Sequence, residues 1–159
     1  MKITILAVGK LKEKYLSEGI KEYLKRMTPY AKVDIQEIPD EPCPENASPA
    51  TEDQLRQKEA DRLLKKLRPN TFVIALEPRG TMHSSEEMAH KLQDLTLNSR
   101  SDITFIIGGS VGLAPSFVER ADMLLSFSKL IFPHQLMRLM LMEQVYRWFK
   151  IMKGEPYHK

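Results

Sequence analysis

Cysteine is almost missing from this chain. Cys43 is the only one in 159 residues, so no internal disulfide and no thiolate zinc cluster can form. In its proline-rich surroundings it reads as an ordinary thiol. Long hydrophobic runs are also missing. The first apolar run, Ile3 to Val8, is far below the ~20 residues of a membrane span. It is too short for a secretory core as well, and Lys10, Lys12 and Lys14 follow at once. The expectation is a cytoplasmic protein with no membrane partner. Several common catalytic signatures are absent too: GxGxxG after the first strand, GxxxxGK[ST], GxSxG and HExxH. Their absence removes the usual dinucleotide, P-loop, serine-hydrolase and zinc-protease readings, and no metal site is expected.

What remains is an ordinary globular composition, 42% hydrophobic and 28% charged, with enough chain for one core and one domain over residues 1–159. Ile3 to Val8 reads as a buried strand. Lys12 to Met27 then carries Tyr15, Leu16, Ile20, Tyr23, Leu24 and Met27 on one helical stripe. Lys32 to Ile38 alternates only roughly, as an outer strand does. Pro39 to Pro49, with four prolines and three acids, is expected to be a mobile loop. The next helix has two possible starts, Ser48-Pro49 or the capping box Thr51-x-x-Gln54, and runs to about Arg68. Thr71 to Leu76 is a continuous apolar strand with Glu77-Pro78-Arg79-Gly80 as its loop. Ser84-x-x-Glu87 caps a helix toward Asn98.

Two short apolar runs follow, Ile103 to Ile107 and Met123 to Phe127, and a last helix extends from His134 to Met152. Gly154 and Pro156 stop it. The order β-α-β-α-β-α-β-(short helix)-β-α predicts an α/β fold: a mostly parallel sheet with helices on both faces. Taken alone, this pattern describes an unknotted doubly wound sheet.

Charge is unevenly placed. The chain carries a net +3, but Lys129 to Lys159 holds six basic residues against two acids, a local +4, while the remainder is 18 against 19. Positive charge gathered in one segment suits a polyanionic partner, although a few lysines on a solvated helix face would give the same count. The same segment adjoins the turn Gly108-Gly109-Ser110-Val111-Gly112, where three glycines in five residues let backbone approach a ligand closely.

These residues form an ordered series: Gly108-Gly109 with Gly112-Leu113, Leu125-Ser126-Phe127-Ser128, Phe132-Pro133-His134 with Arg138, then Glu143, Tyr146-Arg147 and Pro156-Tyr157-His158. Together with the opening Lys2 to Lys10, the series closely resembles the SPOUT-class methyltransferases that act on pseudouridine in large-subunit ribosomal RNA. The resemblance implies a C-terminal trefoil knot, a homodimer, and S-adenosylmethionine as methyl donor. It implies a substrate presented within the ribosome and a product methylated at N3. It places the donor against Leu76, Gly108 and the loop Phe127, Ser128, Lys129, Leu130, Ile131 and Phe132. An adenine needs an apolar slot with backbone donors and acceptors, and this donor has no phosphate to demand a lysine.

Proton removal from an imide nitrogen calls for a base, for which His134, Glu143 and His158 are candidates. Arg147, one helical turn from Glu143, and Tyr157 complete the candidate catalytic set. The tail is expected to close over the partner subunit's donor. Two rival readings are a ribosome-binding factor without catalysis and a SPOUT methyltransferase acting on transfer RNA.

Overall fold

A computed structural model describes residues Met1–Lys159. The elements, in chain order, are β1 (Lys2–Val8), α1 (Lys14–Met27), β2 (Lys32–Ile38), α2 (Pro49–Lys66), β3 (Phe72–Met82), α3 (Ser85–Leu97), β4 (Asp102–Ile107), α4 (Pro115–Arg120), β5 (Met123–Ser126) and α5 (His134–Met152). The five strands make one sheet in the order β2-β1-β4-β3-β5, and every pairing is parallel. Each strand therefore needs a crossover, and the helices supply it.

Alternation along β1 divides the core. Ile3, Ile5 and Ala7 face one side, in a cluster with Ile20 of α1, Met88 and Leu92 of α3, and Leu141, Val145, Trp148 and Phe149 of α5. Leu6 and Val8 face the other side, with Ala60 and Leu63 of α2 and Phe117 of α4. Both faces are covered, which is why the central strands read as unbroken apolar runs. No helix is long and apolar enough to cross a membrane.

Local chemistry sets the helix ends. Ser48 caps α2, its hydroxyl accepting the Thr51 N–H at 3.1 Å with Pro49 in the first turn, so Thr51 lies inside the helix rather than at its cap. At α3 the Ser84–Glu87 capping box closes in both directions. Helix α1 starts two residues later than its apolar stripe predicts, and the N–H groups of Leu11 and Lys12 before it donate to Glu37 and Gln135, each at 2.9 Å.

Two expectations are corrected. Strand β3 does not end at Leu76. Glu77 to Gly80 loop out, after which Thr81 and Met82 rejoin β5. Gly80 makes the return possible, since a Cβ there would stand 2.7 Å from the Leu124 backbone. The loop after β2 is also not free at its start. Arg62 donates to the Pro39 carbonyl at 2.9 Å and pairs with Glu41, and the Glu41 N–H reaches Glu59 at 3.0 Å.

Candidate active site

The carboxyl ends of β3, β4 and β5 open into one cavity of about 340 Å³. Open α/β sheets place ligands there because strands end and loops diverge at the same edge. Of the eight residues expected to hold a donor, Leu76, Gly108, Phe127, Ser128, Leu130, Ile131 and Phe132 line this cavity. Lys129 is not part of the lining.

Leu130 and Ile131 are 70% and 75% exposed, a marked departure for large aliphatic residues, and stand free at the rim. The loop bearing them is shaped by serines: Ser126 Oγ donates to the Ser128 carbonyl, and Ser128 Oγ accepts the Leu130 N–H, both at 3.0 Å. The glycine turn closes on itself through Gly112 N–H to the Gly109 carbonyl at 3.1 Å, with Gly112 at φ +78°. No lysine or arginine lines the cavity; its titratable side chains are Glu77 and His134. Such a lining is poorly suited to a nucleotide phosphate and well suited to an uncharged or cationic ligand.

His134 opens α5 beside Gly9, its Nε2 standing 3.7 Å from where a Cβ on that glycine would lie. Burial, then the positive charge of Arg138, pushes its pKa below the ordinary 6.5. The ring is therefore neutral at pH 7 and able to take up a proton. For stability the sign follows directly. The unfolded chain binds this proton more readily, so His134 costs stability as pH falls below about 6.5. We expect the urea midpoint to drop less between pH 7.5 and 5.5 in His134→Gln than in the parent. An unchanged drop would show that the ring titrates normally.

Arg138, one turn further along α5, was not among the expected site residues. It is 1% exposed. Its guanidinium donates to Glu37 at 2.6 Å and to the carbonyls of Val8 and Gly9 at 3.0 and 2.6 Å. Burial depresses its pKa and Glu37 opposes the shift. This buried guanidinium, paired with a partly exposed Glu37, closes the end of β1 beside His134. Its place in the ordered series beside His134, as the one charge in the apolar first half of α5, was the available signal.

The other four catalytic candidates gather elsewhere. Glu143 Oε1 accepts from Arg147 Nη2 at 2.6 Å, Arg147 Nε at 3.0 Å and the Tyr157 hydroxyl at 3.0 Å. Tyr157 lies edge-on to Tyr146 at 4.8 Å, with the Arg147 guanidinium also 4.8 Å from its ring centre. Burial, with hydrogen bonds to Tyr23 and Glu143, raises the Tyr157 pKa, so the phenol keeps its proton and serves as a donor. His158 Nδ1 stands 3.3 Å from Arg147 Nη1 and its Nε2 is 2.7 Å from Glu86. That pairing assigns the proton to Nε2. Glu86 is held down to about 2, first by its own backbone N–H and then by His158. At the tail's start Lys150 grips Glu155 at 2.6 Å. The C-terminal tail is thus docked on α5, not frayed.

His134 and Glu143 are nine residues apart on one helix, about 13 Å along its axis. Within one chain the five candidates therefore form two groups. Between them runs a larger groove of about 610 Å³, bounded by Ser84, Ser85 and Met88 near α3 and by Leu136, Leu139, Met140 and Glu143 on α5. It shares Leu125, Phe127 and Phe132 with the first cavity.

Residues 1–158 match the family described as predicted SPOUT methyltransferase. The chain is 72% identical over 159 residues to a protein of Desulforamulus reducens named ribosomal RNA large subunit methyltransferase H, covering 100% of this chain and 99% of that protein. Proteins of the same name from Pelotomaculum thermopropionicum and Carboxydothermus hydrogenoformans are 60% and 56% identical. The first match covers 98% of both chains and the second 100% of both.

Proposed function

Because the chain belongs to the SPOUT methyltransferase family, we propose that it methylates N3 of a pseudouridine in large-subunit ribosomal RNA, using S-adenosylmethionine and acting on assembled ribosomes in the cytoplasm. The observation that carries this reading is the cavity at the ends of β3, β4 and β5. It is apolar, rich in backbone groups, free of lysine and arginine, and bordered by a neutral histidine. Those walls fit a donor with an adenine, a sulfonium charge and no phosphate.

When bound, the donor supplies an electrophilic methyl carbon. The protein's share is to hold the acceptor nitrogen about 3 Å from that carbon, in line with the breaking bond, and to exclude water. Leu130 and Ile131 fold over the opening to exclude it. His134 takes the imide proton as the new N–C bond forms. Leu76, Gly108, Phe127, Ser128 and Phe132 orient the donor, and Lys129, outside the lining, meets the RNA backbone.

The whole chain works as one catalytic domain, and two copies work together. The half-buried apolar side of α5, with Leu136, Leu139 and Met140 open to the 610 Å³ groove, is the surface for the second copy. Glu143, Arg147, Tyr157 and His158 then belong to the partner's reaction. Tyr157 stacks on or donates to the target base, and Arg147 and Glu143 hold the tail in place.

Substrate order gives the test. If the acceptor is pseudouridine, isomerisation precedes methylation. Ribosomes from cells lacking the relevant pseudouridine synthase will then accept little labelled methyl from the purified protein, while normal ribosomes accept it readily. Equal incorporation into both would overturn the assignment of the acceptor.

A further inference from the structure

One buried acid has no part in the chemistry above. Glu59, on α2, is 3% exposed. Its Oε1 accepts the Glu41 N–H at 3.0 Å, while Oε2 is buried with no hydrogen-bond partner. A carboxyl oxygen is costly to bury bare, so its surroundings are informative. It lies under the glycine turn. A Cβ built on Gly109 would approach Glu59 Oε2 and Oε1 to 3.4 and 3.5 Å, and Val8 to 2.9 Å.

The neighbouring charged residues of the helix reach the same loops. Arg56, three residues before Glu59, donates to the Val111 carbonyl at 3.0 Å, and Arg62, three residues after, donates to the Pro39 carbonyl at 2.9 Å. Arg56 is itself held by Asp53 and Glu52 on α2. Helix α2 therefore grips residues 39–41 with one part of its surface and residues 109–111 with another.

We propose that Glu59, with Arg56 beside it, is a positioning residue of the donor site: it props the glycine turn from beneath and ties it to the loop after β2. The geometry stands on its own, and the consequence for ligand binding rests on the donor-site reading given above. The charged groups around Glu59 are Asp40 and Glu41 from the loop after β2 and Arg62 from its own helix. The β1 side contributes Val8, and the glycine turn brings no charge.

Burial, chiefly, raises the Glu59 pKa above the ordinary 4.5; the hydrogen bond from the Glu41 N–H opposes it, the charges of Asp40 and Glu41 add to it, and Arg62 opposes it. The folded protein thus favours the neutral acid, because ionisation would place a charge on the buried, unpartnered Oε2 even though the bond from Glu41 favours the carboxylate. The support is complete below the ordinary carboxyl range and is lost as pH rises through the raised value.

Amide hydrogen exchange on the ligand-free, full-length protein tests this. In Glu59→Ala, exchange at residues 108–112 and at Asp40 and Glu41 should quicken about tenfold or more, while the distant turn at residues 98–100 keeps its rate. Glu59→Gln, which mimics the neutral acid, should match the parent at low pH and lack the parent's extra quickening at high pH. Calorimetry with S-adenosylmethionine should show affinity falling with pH in the parent and flat in Glu59→Gln. Uniform quickening across the chain in Glu59→Ala, or none at residues 108–112, overturns the proposal. If Glu59→Ala does not fold, an identical pH response in the parent and Glu59→Gln overturns it. If the parent fails to bind the donor, the donor reading falls, and the exchange data alone decide the role of Glu59.

Discussion

Gly108→Val should lose S-adenosylmethionine binding by at least about a hundredfold, or ~2.7 kcal/mol, while remaining folded. The cause lies inside the turn. A Cβ on Gly108 would stand 3.1 Å from the Gly112 carbonyl carbon and 3.1 Å from both Cγ and Cδ2 of Leu113. Valine adds two methyl groups to that crowding, so Gly112 and Leu113 must move away from the cavity they line. β4 ends at Ile107, before this position, and its pairing with β1 and β3 is untouched. Gly112→Ala makes a useful contrast. A Cβ there meets nothing within 4 Å, but φ is +78°, so the penalty is backbone strain of about 1 kcal/mol without a collision. Calorimetry on both variants, with circular dichroism to verify folding, separates the two effects. Unchanged affinity in folded Gly108→Val would place the donor elsewhere.

The second large effect concerns the tail. Truncation after Gly154 removes Tyr157 and His158 and should reduce methyl transfer to background. Mixing this variant with Gly108→Val should restore it. The expectation follows from distances along α5. Met137 lines the donor cavity, whereas Arg147, which carries the docked tail, is ten residues on, about 15 Å along the helix. A tail docked in this way does not lie over its own cavity. Under the proposed dimer, a second copy seated on the groove between α3 and α5 would bring its tail to the first copy's cavity. In a mixed dimer, the truncated subunit then offers an intact cavity and the Gly108→Val subunit an intact tail. Labelled methyl incorporation by a purified mixed dimer measures the outcome. Silence from a dimer verified by mass would show that tail and cavity belong to the same subunit.

Much of the frame is legible in the sequence. The Ser84–Glu87 box, the span of α5 from His134 to Met152 and the stop at Gly154, with φ +64°, are all local features of backbone and capping chemistry. The residues expected to hold a donor came from the family resemblance, and seven of the eight line one cavity. Periodicity alone would have treated Leu76 and Phe127 as plain core.

The chain by itself determined which segments are strands and helices, because apolar spacing and end-capping act over a few residues. It also determined that both faces of the sheet are covered, since strands such as Ile103 to Ile107 have no polar face to give to water. Tertiary structure alone decided the rest. It set β4 between β1 and β3, and it brought Thr81 back to β5 beyond a four-residue excursion. It joined Arg138 to Glu37 and Val8 across 101 and 130 residues of sequence. It put Glu59 under Gly109, and it separated His134 from Glu143 and the tail. The physical reason is common to all of these. Hydrogen-bond register and buried charge are satisfied by whichever groups the packed layers bring within about 3 Å, and no spacing along the chain encodes that meeting.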